Sequence, residues 1–221
     1  IGLLGAMPEE IGSDLSHLTD LSCSDHGDLT IHRGVWGDNI RLSLAWSGWG
    51  KVSASRAATR LLASDPGIDL LLFTGVAGAA DPTLRQWDVL LADALVQHDM
   101  DARPLFPQFT LPALKQDRLQ PQQGWFDWAQ TALLEAYSAG ELNGFTRPSS
   151  GLIATGDRFI GDPAVLQTLR DALPGLRAVE MEGAAVAQVA EQEGVPWLVL
   201  RVISDGADEG AAQSFEDFVK R

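Results

Sequence analysis

The chain has 221 residues, 45% of them hydrophobic, enough to bury one sizeable core and to form a single α/β domain over residues 1–221. Its 30 acidic against 16 basic residues give a formal charge of -14, which repels a phosphate backbone and an anionic membrane surface alike and excludes nucleic-acid and membrane partners. The lone cysteine, Cys23, has no disulfide partner and no metal-ligand spacing around it, no basic leader opens the chain, and no apolar run approaches the ~20 residues of a membrane span, so the reading is a soluble cytoplasmic protein.

In chain order, residues 1–7, 40–46, 68–74, 89–96, 152–155 and 196–203 are short runs rich in Leu, Val and Ile, bounded by Gly, Pro or Asp, and are predicted to be buried strands. Residues 52–63, 125–139, 163–173 and 181–193 carry helix-compatible spacing, the last stopped by Gly194 and Pro196. Near-continuous apolar strands with helices between them predict a mostly parallel sheet covered on both faces. Residues 99–123 hold Pro104, Pro107, Pro112 and Pro121 with no period, which predicts a long functional or disordered loop.

Three acidic segments carry the chemistry. Residues 1–10 (IGLLGAMPEE) place Glu9 and Glu10 after the first strand, residues 178–183 (AVEMEG) place Glu180 and Glu182 where a strand hands over to a helix, and residues 200–208 (LRVISDGAD) place Arg201, Ser204 and Asp205 at the end of an apolar strand. In open α/β sheets such strand ends converge on one crevice, so their carboxylates form a candidate acid/base site. A carboxylate held ionised at a helix N-terminus can accept two hydrogen bonds from a vicinal diol such as ribose, while a partly desolvated aspartate can keep a proton as a general acid. Each signal also has a bland reading: Glu10 and Glu182 as first-turn helix acids, Asp205 as a turn aspartate before Gly206.

Other motifs are weaker. Gly50-Lys51 lacks the hydroxyl residue and glycine spacing of a phosphate loop. His98, Asp99 and Asp101 have no further His or Cys group to complete a metal site, so no metal is expected and His98 reads as structural or interface-facing. No G-x-S-x-G supports a covalent nucleophile.

The set GAMPEE, SGWGKV, TGVAGA, QHDMD, TGDRFI, VEMEGAAVA and RVISDGAD, in this order over nearly the whole chain, resembles the 5′-methylthioadenosine/S-adenosylhomocysteine nucleosidases of the nucleoside phosphorylase superfamily. The resemblance implies a three-layer α/β/α sandwich around a mixed, partly barrel-like sheet, assembled as a homodimer, that hydrolyses the N-glycosidic bond of adenine nucleosides without metal or cofactor. It implies that Glu10 activates the attacking water, that Glu182 grips the ribose hydroxyls with Met181 against the sugar, and that Asp205, supported by Ser204, protonates the purine. Arg201 lies near the acidic pair. Phe159 stacks on the base beside the Ile160 backbone, Phe215 closes over the sugar or 5′ substituent, and Met7, Val76, Ala77, Gly78 and Glu180 complete the binding set. Leu105 and Phe106 belong to the 5′ pocket, in part across the subunit interface. Val76 stands where the family commonly has a serine, and the loop around residues 102–114 departs from the usual pattern. A related nucleosidase for a larger 5′ group such as aminofutalosine, a purine nucleoside phosphorylase and a non-catalytic nucleoside binder stay open as alternatives.

Overall fold

A computed structural model describes residues 1–12 and 15–219. The elements follow in the order β1 (Gly2–Gly5), α1 (Pro8–Ile11), β2 (Leu18–His26), β3 (Leu29–Trp36), β4 (Ile40–Trp46), α2 (Lys51–Ser64), β5 (Leu71–Ala79), β6 (Val89–Gln97), α3 (Gln123–Ser138), β7 (Ser149–Thr155), α4 (Pro163–Ala172), β8 (Leu176–Glu180), α5 (Gly183–Glu193), β9 (Trp197–Asp205) and α6 (Ala211–Val219).

The nine strands form one sheet in the order β2-β3-β4-β1-β5-β8-β7-β6-β9, and β9 pairs back onto β5. Strands β5, β8, β7, β6 and β9 therefore close a ring, while β1, β4, β3 and β2 extend from it as an open wing. Five pairings are parallel and four antiparallel, so the sheet is mixed and partly barrel-like rather than mostly parallel.

Side-chain alternation explains why the ring strands read as continuously apolar. Along β9, Trp197, Val199 and Ile203 enter one core cluster while Leu198 and Leu200 enter another on the opposite face. The first cluster is covered by α2 and α5, whose Ala54, Ala57 and Ala58 meet Ala184, Ala185, Ala187 and Ala190, small residues that let the two helices approach closely. The second lies under α3 through Phe126, Ala129 and Leu133.

Three expectations change. The β2–β3 hairpin was not predicted, because its first strand, LTDLSCSDH, is polar and mostly exposed and so lacks the apolar signal of a buried strand. Strand β5 begins at Leu71 rather than residue 68 and runs on to Ala79 through glycines that depress strand propensity. Residues 99–123 contain no long element but are tied down: Leu119 pairs with Leu95, Leu111 pairs with Gln116, and both Leu111 and Leu119 are buried.

β5 changes partners along its length. On one side Leu71–Phe73 pair with β1, whereas Gly78 and Ala79 pair with β8. Between these ladders residues 74–77 have no strand on that side among the described residues, although β9 continues along the other. The candidate site sits in this split.

Candidate active site

A cleft of about 580 Å³ opens at the split, and it is lined by the ends of β1, β5, β8 and β9. Glu10, Glu182 and Asp205 all reach it, as do Met7, Val76, Ala77, Gly78, Phe159, Ile160, Glu180, Met181, Ser204 and Phe215. The cleft brings together most of the residues singled out in the sequence.

Glu10 lies on α1, and its carboxylate folds back toward β1. One oxygen accepts from the backbone N–H groups of Ala6 and Met7, and the other accepts from Val76 N–H at 3.2 Å, a donor left free by the gap in the β5 ladder. Gly75 makes this possible, since a Cβ at that position would overlap Glu10 Oε1. Burial raises the Glu10 pKa, while the Arg201 charge and the three N–H donors oppose the rise. Glu9, its neighbour, is exposed, so one glutamate rather than two faces the cleft from this segment.

Glu180 and Glu182 flank the β8–α5 junction and do different work. Glu180 accepts from the Thr155 hydroxyl, from the N–H groups of Glu182 (3.1 Å) and Gly183 (2.7 Å), and from Arg201 at 2.7 Å. Both of its oxygens are thus committed to the protein. Glu182 is the N-cap of α5 and accepts from Gly50 N–H at 2.6 Å through Oε1, with Oε2 unpartnered among the described residues. Burial, reinforced by the neighbouring Glu180, pushes the Glu182 pKa up to about 8. The expectation that the helix dipole keeps Glu182 ionised is corrected here: a partial charge at a helix end is outweighed by desolvation and an adjacent anion.

Asp205 ends β9. Its Oδ1 accepts from Ala207 N–H at 2.8 Å and its Oδ2 from the Ser204 hydroxyl at 2.7 Å. Burial raises its pKa against both hydrogen bonds. Ser204 Oγ also lies 3.4 Å from the Ala77 carbonyl, so its single proton can serve an ionised Asp205 or turn to Ala77 when Asp205 carries a proton. Gly78 is required beside it, since a Cβ there would stand 2.8 Å from Asp205 Oδ1.

Aromatic rings cover the mouth. Phe159 and Phe215 meet edge-on at 6.4 Å between centroids, and Trp49 meets Phe215 edge-on at 5.8 Å. Phe215 comes from α6, a helix that the sequence reading did not predict. Trp49 and Arg158 also line the cleft and were missed. The signal for Trp49 was a large aromatic between two glycines just after a strand, in SGWGKV.

Some predicted residues lie elsewhere. Arg201 does not line the cleft; it sits behind Glu180, in mid-strand rather than at a strand end, with its guanidinium 4.2 Å from the centre of the Phe73 ring. Leu105 and Phe106 do not line it in the single chain, and Leu105 is 84% exposed. The HDMD residues disperse: Asp99 pairs with Lys51 and Asp101 with Arg103, while burial lowers the His98 pKa.

The family model of the phosphorylase superfamily matches residues 1–221. A Marinomonas sp. (strain MWYL1) 5′-methylthioadenosine/S-adenosylhomocysteine nucleosidase is 34% identical over 223 residues, covering 100% of this chain and 91% of the relative. The crystal structure of the Neisseria meningitidis enzyme of the same name, in complex with methylthio-immucillin-A, superposes with a TM-score of 0.89 at 30% identity over 99% of this chain and 91% of that one. A futalosine hydrolase of Helicobacter pylori strain 26695 superposes with a TM-score of 0.84 at 34% identity, covering 99% and 90%.

Proposed function

This chain belongs to the phosphorylase superfamily and, within it, to the 5′-methylthioadenosine/S-adenosylhomocysteine nucleosidases, and from that premise we propose that Glu10, Glu182 and Asp205 divide the hydrolysis of an adenine nucleoside between them. The reaction is that of an N-glycosyl hydrolase, releasing adenine and a 5-thio-substituted ribose from 5′-methylthioadenosine or S-adenosylhomocysteine. In the proposed division, Glu182 Oε2 and the apolar Met181 hold the ribose, and Phe159 with the Ile160 backbone holds the purine. Asp205 gives its proton to the five-membered ring as the C–N bond breaks, so that adenine leaves neutral rather than as a poor anion. Glu10 takes a proton from water as the water oxygen bonds to the anomeric carbon, and its charge stabilises the oxocarbenium-like sugar.

The observation that carries this reading is the gathering of three carboxyl groups in one cleft with raised pKa values, one beside a proton-sharing serine and one ringed by N–H donors. The donors around the cleft favour water over phosphate as the nucleophile. A phosphate dianion needs arginines and free backbone donors. Here Arg201 is spent on Glu180, and the first N–H groups at the α2 N-terminus are spent on Glu182 and Asp157. The serine hydroxyl missing at Val76 does not disturb Glu10, because the contact made from this position is a backbone N–H that any residue but proline supplies.

The single continuous sheet supports one domain over residues 1–221. Trp49, Val52 and Leu105 leave large apolar side chains exposed, which supports a homodimer whose neighbouring chain covers part of the 5′ end. The free, exposed Cys23 supports a reducing, cytoplasmic setting.

The test is adenine release from methylthioadenosine with and without phosphate, followed by chromatography of the sugar. Free methylthioribose formed at a phosphate-independent rate is expected; a phosphorylated sugar would sink the hydrolytic assignment. A second reading, a nucleosidase for a bulkier 5′ group such as aminofutalosine, is favoured by the futalosine hydrolase likeness and by the half-open aromatic mouth. A kcat/KM for aminofutalosine well above that for methylthioadenosine would select it.

A further inference from the structure

Two consecutive backbone donors at the start of α2 hold two segments that border the cleft, the Glu182 junction and the loop that carries Phe159. Gly50 N–H donates to Glu182 Oε1 at 2.6 Å, and Lys51 N–H donates to Asp157 Oδ1 at 2.7 Å. Asp157 sits two residues before Phe159 in the loop between β7 and α4, so one helix terminus touches both the sugar-side carboxyl and the base-side loop. A second ring of contacts closes the arrangement: Asp157 N–H donates to Asp99 Oδ2 at 3.0 Å, and the Lys51 ammonium reaches Asp99 Oδ1 at 2.6 Å and Gln97 Oε1 at 3.2 Å. Gln97 in turn donates to Gln188 on α5, the helix that Glu182 caps. Gly50 has a φ of +88°, and a Cβ there would stand 3.0 Å from Asp157 Oδ1, so the close approach relies on glycine. Although burial works against it, Lys51 and the Asp157 N–H hold the Asp99 carboxyl below the usual range. None of Lys51, Asp99 and Asp157 lines the cleft.

We propose that Lys51, Asp99 and Asp157 are positioning residues, a clasp that fixes the spacing between Glu182 and the Phe159–Ile160 loop and so sets how tightly a nucleoside is held at both ends. The clasp rests on the reading of Glu182 as the ribose grip and of the Phe159 loop as the base site. Because Asp157 acts through an oxygen that accepts an N–H, asparagine can replace it and alanine cannot.

The test compares Asp157→Ala, Asp157→Asn and Lys51→Met for KM and kcat on methylthioadenosine, for the competitive Ki of free adenine, and for melting temperature. Adenine reads the base loop alone, and KM reads both ends. Loss of one such hydrogen bond is expected to raise KM and Ki about tenfold in Asp157→Ala, with kcat within about threefold. Lys51→Met is expected to move the same constants in the same direction, and Asp157→Asn to stay within about threefold of the parent on both. The clasp is overturned if Asp157→Ala leaves both constants within about twofold, if Asp157→Asn is as impaired as Asp157→Ala, or if the losses fall only on kcat in step with a lowered melting temperature. Phe159→Ala and Glu182→Gln, measured alongside, separate the two levels: the first must raise the adenine Ki and the second KM. If they do and Asp157→Ala does not, the clasp alone fails; if they do not, the site reading fails and takes the clasp with it.

Discussion

The Arg201 guanidinium meets the Glu180 carboxylate at 2.7 Å with the two side chains only 1% and 2% exposed. Glu182 N–H donates to the same Glu180 carboxylate, and after burial the charge of Glu180 is one reason why Glu182 holds its proton. The negative charge beside Glu182 is therefore set by a residue whose two oxygens are bonded within the protein.

Arg201→Met should be strongly destabilising, because it leaves Glu180 buried without its counter-charge. Breaking a buried pair from one side costs about 3–5 kcal/mol, whereas replacing both partners with apolar groups of similar volume is often nearly neutral. Urea unfolding should show the single variant far less stable than the parent, and Arg201→Met combined with Glu180→Gln, which removes the charge but keeps acceptor oxygen for the Thr155 hydroxyl and the Glu182 and Gly183 N–H groups, should recover much of the loss. Equal stability of single and double variants would mean that Arg201 contributes packing against Phe73 rather than charge.

Gly75→Ala should separate activity from stability. The new Cβ would overlap only the far end of the flexible Glu10 side chain, which can swing away at little cost to the fold. Swinging away takes the carboxylate from the Ala6, Met7 and Val76 donors and from the water it would activate. A fall in kcat of roughly 10²-fold or more is expected, within the range a positioned acid or base supplies, with a melting temperature close to that of the parent. Unchanged kcat would remove Glu10 from the base role.

How much of this was readable in the sequence depends on how local each feature is. The carboxylates announce themselves because they follow apolar strands, and β4, named as residues 40–46, is found with those bounds. What could not be read depends on long-range pairing. Nothing in TGVAGA says that β5 exchanges β1 for β8 halfway along, yet that exchange frees Val76 N–H for Glu10. In sequence Arg201 reads as a strand-end residue grouped with Ser204 and Asp205, whereas its partner, 21 positions away on β8, is defined only by the closed ring. Gly50-Lys51 was set aside as a failed phosphate loop, and the structure shows its donors filled by the protein's own carboxylates.

Asp205→Asn should discriminate between leaving groups. Adenine needs a proton to depart, so the variant should lose several orders of magnitude in kcat on methylthioadenosine. A riboside with a nitrophenolate leaving group needs none and should lose far less. Ser204→Ala should produce a milder version of the same pattern, since Ser204 touches Asp205 at 2.7 Å without reaching further into the reaction. Equal losses on both substrates would take the acid role away from Asp205.

Glu182 links stability to pH in a direction opposite to that of an ordinary salt-bridged carboxylate. Its folded-state pKa is about 8 against an ordinary 4.5, so between these values the folded chain binds a proton that the unfolded chain has released. Stability from this group is fully present below about pH 4.5 and drains away as pH rises toward 8. Glu182→Gln, neutral throughout and still able to accept from Gly50 N–H, should abolish that slope: little change near pH 5, and a gain on the order of a few kcal/mol at pH 8 and above. The same variant should lose roughly ten- to a hundredfold in kcat/KM, because in the proposed grip the ribose hydroxyls bind best to the ionised carboxylate, a form that the amide cannot reach. Urea unfolding across pH 5–9, read against kcat/KM for methylthioadenosine, checks both halves. A variant that is less stable than the parent at pH 8 would show that the free chain holds Glu182 ionised, and the protonated Glu182 inferred from its burial beside Glu180 would have to be abandoned.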